Sequence, residues 1–230
     1  LYVDLPHRAE TLYAWGDVSG ELLACSVKPE AYLCHLTAMH LHGLIDKDSK
    51  TIYANHEQRQ LPPPEGRLTQ HGIDMAFRRR QRVTKNIAAL GNSHQLHLVN
   101  GKHTNRLGVV TMPDALGQPL RVTGLERTLI DIVVRPAYAG GACAILDAFR
   151  RAAGRYSVKS LADMLTDMAF VYPYHQAIGF CLEYSRQYTE SELSEFSARP
   201  FDFDFYLEYG MTAPEFSERW RMYYPNNMTI

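Results

Sequence analysis

The sequence predicts a mixed α/β fold of the α+β kind. Short strands occupy the N-terminal half and the tail, and a bundle-like helical second half packs on a mixed sheet. Three observations lead there. Residues 95–100 alternate apolar and polar side chains, as a half-buried strand does. Between 123 and 182 the apolar residues instead recur at intervals of three and four, the pattern of a helix with one buried face. The 230 residues are 46% apolar and 21% charged, a globular balance. A chain of this length buries roughly 70% of its unfolded surface without staples.

Composition also excludes some functions. The net charge of −1 rules out a strongly basic wrapper of nucleic acid, though not a local basic patch. Mean hydropathy is −0.28, and no run approaches the roughly 18 apolar residues of a membrane span. Asp4, His7, Arg8 and Glu10 do not fit a secretory leader. Cys25, Cys34, Cys143 and Cys181 form no CxxC, so reduced thiols and a cytoplasmic location are expected.

Taken in order, residues 1–27 read as irregular structure with short strands. Residues 29–43 read as a helix, with Pro29 in its first turn, Gly43 at its stop, and Tyr32, Leu33, Leu36, Met39 and His40 on one face. Residues 51–55 are a strand candidate, and Pro62 to Gly66 an exposed connector. Residues 68–80 fit a helix. Residues 95–100, 109–112 and 120–123 fit strands, the last two joined by a turn-rich link from Pro113 to Gly117.

Thr123 and Glu126 have the spacing of a capping box for a helix bearing Leu125, Leu129, Ile132 and Val133, which Arg135-Pro136 ends. A second helix spans about 140–153 and buries Cys143, Ile145, Leu146 and Phe149. A third is capped by Ser157, and a fourth follows Pro173. Phe201 to Leu207 alternates as a strand with one wet face, and Pro214 starts a short helix through Trp220.

Charge is unevenly placed. Residues 67–106 carry eight cations against Asp74 alone, whereas 183–218 carry nine acids against Arg186 and Arg199. Arg78, Arg79, Arg80, Arg82 and Lys85 are the candidate nucleic-acid-binding residues, because arginine forks suit phosphate oxygens. The competing reading is a solvated helix end whose charges pair with the acidic region.

No motif names a reaction, and no catalytic residue, metal ligand or cofactor is assigned. Cys34-His35 and His40-x-His42 suggest zinc, but His40 and His42 diverge on a helix. Asp202, Asp204 and Glu208 suggest two-metal chemistry, without a nearby lysine or serine to complete a signature. Gly140-Gly141 precedes a helix but lacks the rest of a phosphate loop. Tyr172, Tyr174, His175 and Gln176 either line a pocket or anchor hydroxyls at the rim of the core. Arg127 and Asp131, one turn apart, suit a helix ion pair.

Several stretches together resemble one family. They are LTAMHLHGL (36–44), IYANHEQ (52–58), VTGLERTLIDIVVRPAYAGG (122–141), YPYHQAIGF (172–180) with Leu182-Glu183, and FDFYL (203–207) with Trp220 and Tyr223-Tyr224-Pro225. These resemble the AbiEi-type antitoxins of bacterial type IV toxin–antitoxin, or abortive-infection, systems. Glu126 to Asp131 is the most specific piece, and the resemblance spans roughly 30–225.

It implies a phage-defence antitoxin and transcriptional autorepressor with two partners: operator DNA and a nucleotidyltransferase-like toxin. It implies no membrane, no catalytic residues and no cofactor. The family layout places a winged helix-turn-helix before the antitoxin domain. On that layout residues 1–230 are one antitoxin domain: 1–28 a linker or remnant after such a module, 29–123 a mixed α/β half, and 124–230 a mainly helical half with a terminal strand. Two rival functions remain: a metal-dependent nucleic-acid-processing enzyme, and an interaction domain that touches no DNA.

Overall fold

The computed structural model describes residues 1–6, 8–46, 49–62, 66–91 and 93–228. A hairpin comes first, β1 (Tyr2–Leu5) with β2 (Arg8–Thr11), and drives Val3 and Leu5 into an apolar cluster. Helix α1 (Gly20–Ser26) follows, capped where the Ser19 hydroxyl accepts from the Leu22 amide. The sequence reading saw only irregular structure and strands here, because seven residues carry too little periodicity to announce a helix.

The helix expected over 29–43 is divided. Tyr32–Leu33 is a strand, β3, and only His35–Leu41 is helical, α2. Apolar periodicity cannot separate these outcomes over a short run. Sheet pairing decides: β3 lies between β4 (Thr51–Asn55) and β8 (Pro119–Thr123), with Leu33 opposite both Ala54 and Val122. Helix α3 (Gln70–Phe77) and strands β5 (Ile87–Leu90), β6 (His94–Val99) and β7 (Val109–Pro113) complete the first half. The expected connector at 62–66 falls largely on residues 63–65, outside the described residues.

Six strands form one mixed sheet in the order β5-β6-β4-β3-β8-β7. At its centre β4 runs parallel to β6, with Thr51 opposite Gln95 and Asn55 opposite Val99. The alternation read over 95–100 is thus that of a sheet strand, and Leu96, Leu98 and Val99 are its buried residues.

Helix α4 (Leu125–Val134) leaves the sheet from β8. Its N-cap is Gly124, with no capping box. The Thr123 hydroxyl bonds Thr128 Oγ1 at 2.8 Å, which removes it from the cap. Residues 127–133 are buried throughout, because α4 packs on α2 and on three later helices, α5 (Ala142–Ala152), α6 (Val158–Asp167) and α7 (Tyr174–Ser185). Arg135 ends α4 by leaving the helical region (φ −134°, ψ 67°) before Pro136, and Ser157 caps α6, as the sequence predicts. Cys143 is exposed rather than buried, on the outer face of α5.

Helix α8 (Glu190–Ser197), which the sequence reading did not assign, begins with a capping box between Thr189 and Glu192. The tail differs from expectation twice. Only Phe205–Tyr206 (β9) of the alternating stretch is a strand, and the expected helix after Pro214 is instead β10 (Glu215–Ser217). Together with β11 (Met222–Tyr224) they form a three-stranded sheet in the order β10-β11-β9. Pairing with β11 takes precedence over the local helical spacing. The fully buried Trp220 belongs to the same apolar cluster as Phe180, Leu182 and Phe196, with Gly179 of α7 and the Phe201 ring against it. The result is a mixed α+β fold. Among the described residues, no helix is long and apolar enough to cross a membrane.

Candidate nucleic-acid interface

A large cleft, of about 1540 Å³, lies where the sheet meets the helical half. The parallel pair β4 and β6 creates one wall, since both strands end on the same side. In open α/β sheets, ligands gather outside such carboxyl ends. The chain beyond the strands stays joined: Gln58 N–H donates to Gly101 C=O at 2.9 Å, and Gln58 Nε2 donates to Asn100 C=O at 2.9 Å. Gly101 is required here. Its amide donates to Asn55 Oδ1 at 2.7 Å, and a Cβ would sit 2.7 Å from that same oxygen. This extension carries Arg59, Lys102 and His103 to the cleft.

The opposite wall begins where α3 stops. Arg78 caps the helix, and the chain then bends at Arg79 and continues without regular structure past Arg80 and Arg82. Gln81 is pinned where its Oε1 accepts from Ala137 N–H at 2.9 Å. Arg135, at the end of α4, adds a further guanidinium near the Tyr138 ring. Phe170, Val171, Tyr172 and Tyr174, between α6 and α7, together with Tyr209, provide an apolar and aromatic floor.

The electrostatics are one-sided. Arg59, Arg79, Arg80, Arg82, Lys102 and Arg135 line the cleft, and among the described residues no carboxylate does. Among the described residues, none of Arg78, Arg79, Arg80, Arg82 and Lys85 forms a salt bridge. The acidic region pairs elsewhere: Arg219 joins Glu183 and Glu190, and Arg221 joins Asp204 at 2.7 Å. Among the described residues, no direct ion pair joins the two charged regions.

Lys102 is placed with care. Its Nζ donates to Met168 C=O at 2.7 Å and Ala169 C=O at 2.5 Å, at the carbonyl end of α6, and lies 5.2 Å from the centre of the Phe170 ring. Burial lowers its pKa below the ordinary lysine value.

Three of the sequence candidates, Arg79, Arg80 and Arg82, line the cleft, whereas Arg78 and Lys85 are exposed outside its lining. Sequence reading missed Arg59, Lys102 and Arg135, which arrive from three distant segments. Tyr172 and Tyr174 reach the cleft, but His175 and Gln176 are not in its lining. His175 stacks on Phe201 with Nε2 3.1 Å from Pro200 C=O, and buried Gln176 donates to Phe203 C=O and Trp220 C=O.

The other candidates have structural partners. His35 Nδ1 is 2.9 Å from Cys34 Sγ, His42 Nε2 is 2.7 Å from Thr123 C=O, and His40 is exposed. Glu208 Oε1 accepts from the Ala142 amide at 2.6 Å, so the helix start after Gly140-Gly141 already holds an internal carboxylate. A Cβ on Gly141 would lie 2.7 Å from that oxygen. Among the described residues, no group of three or more His, Cys, Asp or Glu is placed to hold a metal ion.

No protein-family model and no curated protein matches this chain. Among solved structures, the crystal structure of the RV2827C protein from Mycobacterium tuberculosis is similar, with a TM-score of 0.51 at 14% identity. The match covers 84% of this chain and 62% of that one, so the chain spans less than two thirds of the neighbour's length. At this identity the likeness is one of fold.

Proposed function

We propose that this protein is a nucleic-acid-binding antitoxin of the AbiEi type, which acts by binding, without turnover. One observation carries the reading: six cations line a cleft in which, among the described residues, no carboxylate takes part. Uncompensated cations at low separation repel one another, and a polyanion relieves that repulsion while releasing its own counterions. Size favours a polymer. Pockets for small molecules run to roughly 300–1,000 Å³, and this cleft is larger. The resemblance over 30–225 supports the rest of the reading, a cytoplasmic autorepressor of its own promoter that opposes a nucleotidyltransferase-like toxin.

Fluorescence anisotropy across a salt series, with single- and double-stranded forms of the upstream promoter, tests this. Arg79→Ala, Arg80→Ala and Arg82→Ala combined should weaken binding and lower the slope of log K against log salt by about 2 to 3, since each phosphate contact contributes about 0.7 to 0.9. Arg78→Ala with Lys85→Ala should have the smaller effect. Unchanged binding in the triple variant removes the cleft from the mechanism. Magnesium-dependent cleavage lost in Asp204→Asn would favour an enzyme instead.

A further inference from the structure

An aromatic column runs through the helical half and ends in the cleft. Tyr223 stacks on Tyr206 with ring centres 4.8 Å apart, and Tyr206 stacks on Phe77 at 5.5 Å and 15°. Phe77 stacks on Tyr209 at 4.1 Å and 18°. Tyr206 and Tyr209 both lie nearly parallel to Phe77. Tyr172 and Phe205 meet Phe77 edge-on at 5.6 and 5.0 Å. Phe77 is thus enclosed and only 3% exposed. Tyr209 rests on Phe77, has Tyr172 and Tyr174 beside it, is only partly buried, and lines the cleft.

The arginines stand beside this ring because the backbone brings them there. Gly210 N–H donates to Phe77 C=O at 2.7 Å, which ties the turn after Tyr209 to the end of α3. A Cβ on Gly210 would lie 3.8 Å from the Arg79 carbonyl oxygen and 3.9 Å from the Arg80 nitrogen, and φ there is +65°. A stacking surface and two phosphate-binding side chains therefore start from adjoining backbone. Lys102 and Phe170 line the same cleft.

We propose that the cleft holds a single strand of nucleic acid, with one unpaired base stacked on Tyr209 as the next member of the column. Its flanking phosphates lie against Arg79, Arg80 and Lys102. This rests on the nucleic-acid reading above and narrows it. Base pairs within a duplex are already stacked on both sides and cannot offer a face to Tyr209, whereas an unpaired base can. Alternating aromatic platforms and cations are how proteins hold single strands without reading their sequence.

The test is equilibrium binding of a labelled 12-nucleotide oligothymidine to the whole chain at fixed salt. Competitors are the matching dT·dA duplex, thymidine monophosphate and inorganic polyphosphate of equal charge. The oligomer should outcompete the duplex and the polyphosphate by about tenfold or more, because each stacked base contributes a factor of roughly 5 to 100. Tyr209→Leu, which keeps apolar volume on Phe77, should lose about that factor while retaining the salt slope, and Tyr209→Phe should bind as the parent does. Duplex or polyphosphate binding as tightly as the oligomer overturns the proposal, as does Tyr209→Leu binding like the parent. A monophosphate that matches the oligomer overturns the strand. Loss of binding in the arginine variants with Tyr209→Leu unaffected would leave the nucleic-acid reading standing and remove this one. Failure of every nucleic acid to bind would remove both.

Discussion

Arg127 Nε donates to Asp131 Oδ1 at 2.9 Å, one turn apart on α4, and the two side chains are only 4% and 11% exposed. The rest of the guanidinium is also used. Nη1 donates to Thr104 Oγ1 at 3.0 Å and Leu107 C=O at 2.6 Å, and Nη2 reaches Tyr32 Oη at 3.3 Å. Tyr32 passes the connection to Glu57 Oε1 at 3.0 Å and accepts from Asn55 Nδ2 at 2.6 Å. One side chain thereby fastens α4 to β3, to the end of β4 and to the loop after β6, the segment that carries Lys102 and His103 to the cleft.

Removing only one member of this pair should be the costly change. Asp131→Ala strands a buried guanidinium and should lower stability by about 3–5 kcal/mol. Arg127→Lys should also destabilise, because an ammonium cannot span partners placed for a planar fork. Arg127→Met with Asp131→Leu should cost less than Asp131→Ala alone. Urea unfolding measures all three, and a double variant less stable than Asp131→Ala would refute the account.

Gly179 packs against Trp220 with no space for a side chain. A Cβ there would lie 2.0 Å from Trp220 Cζ3 and 2.4 Å from Cη2. Trp220 cannot withdraw, since it is fully buried and its Nε1 donates to Glu183 Oε2 at 2.6 Å. Gly179→Ala gains about 1 kcal/mol of helix propensity, yet the overpacking costs about 1–3 kcal/mol or more. The expected outcome is a lower melting temperature, partly restored by Trp220→Leu in the same chain. Additive effects of the two changes would count against direct contact.

Acid should destabilise the fold through its histidines. Burial holds His35 down to about 4, against an ordinary 6.5. Burial also lowers His42, His97 and His175. The unfolded imidazoles take up protons below about 6.5 while the folded ones resist, so stability is complete above that pH and falls as pH drops toward 4. His35 alone accounts for up to about 3 kcal/mol, at 1.36 kcal/mol per unit. Urea midpoints between pH 4 and 7 should rise with pH. His35→Asn, which tolerates the positive φ of 51° at this position, should flatten that rise. An equal slope in this variant would exclude His35 as the main source.

Local sequence determined those elements whose own residues suffice to form them. Strands 94–99, 109–113 and 119–123, the Ser157 cap and the stop at Arg135-Pro136 were all legible, because periodicity, a cap or a proline acts within a few residues. The cationic run from Arg78 to Lys85 was visible for the same reason. Tertiary pairing decided the remainder. Tyr32–Leu33 is a strand because two neighbours hydrogen-bond it, and Glu215–Ser217 is a strand because Met222–Tyr224 lies alongside. The cleft belongs to this second class. Arg59, Lys102, Arg135 and Tyr209 come from four separate segments and share no spacing in the chain. Only the parallel crossover from β4 to β6 and the packing of Tyr209 on Phe77 bring them together.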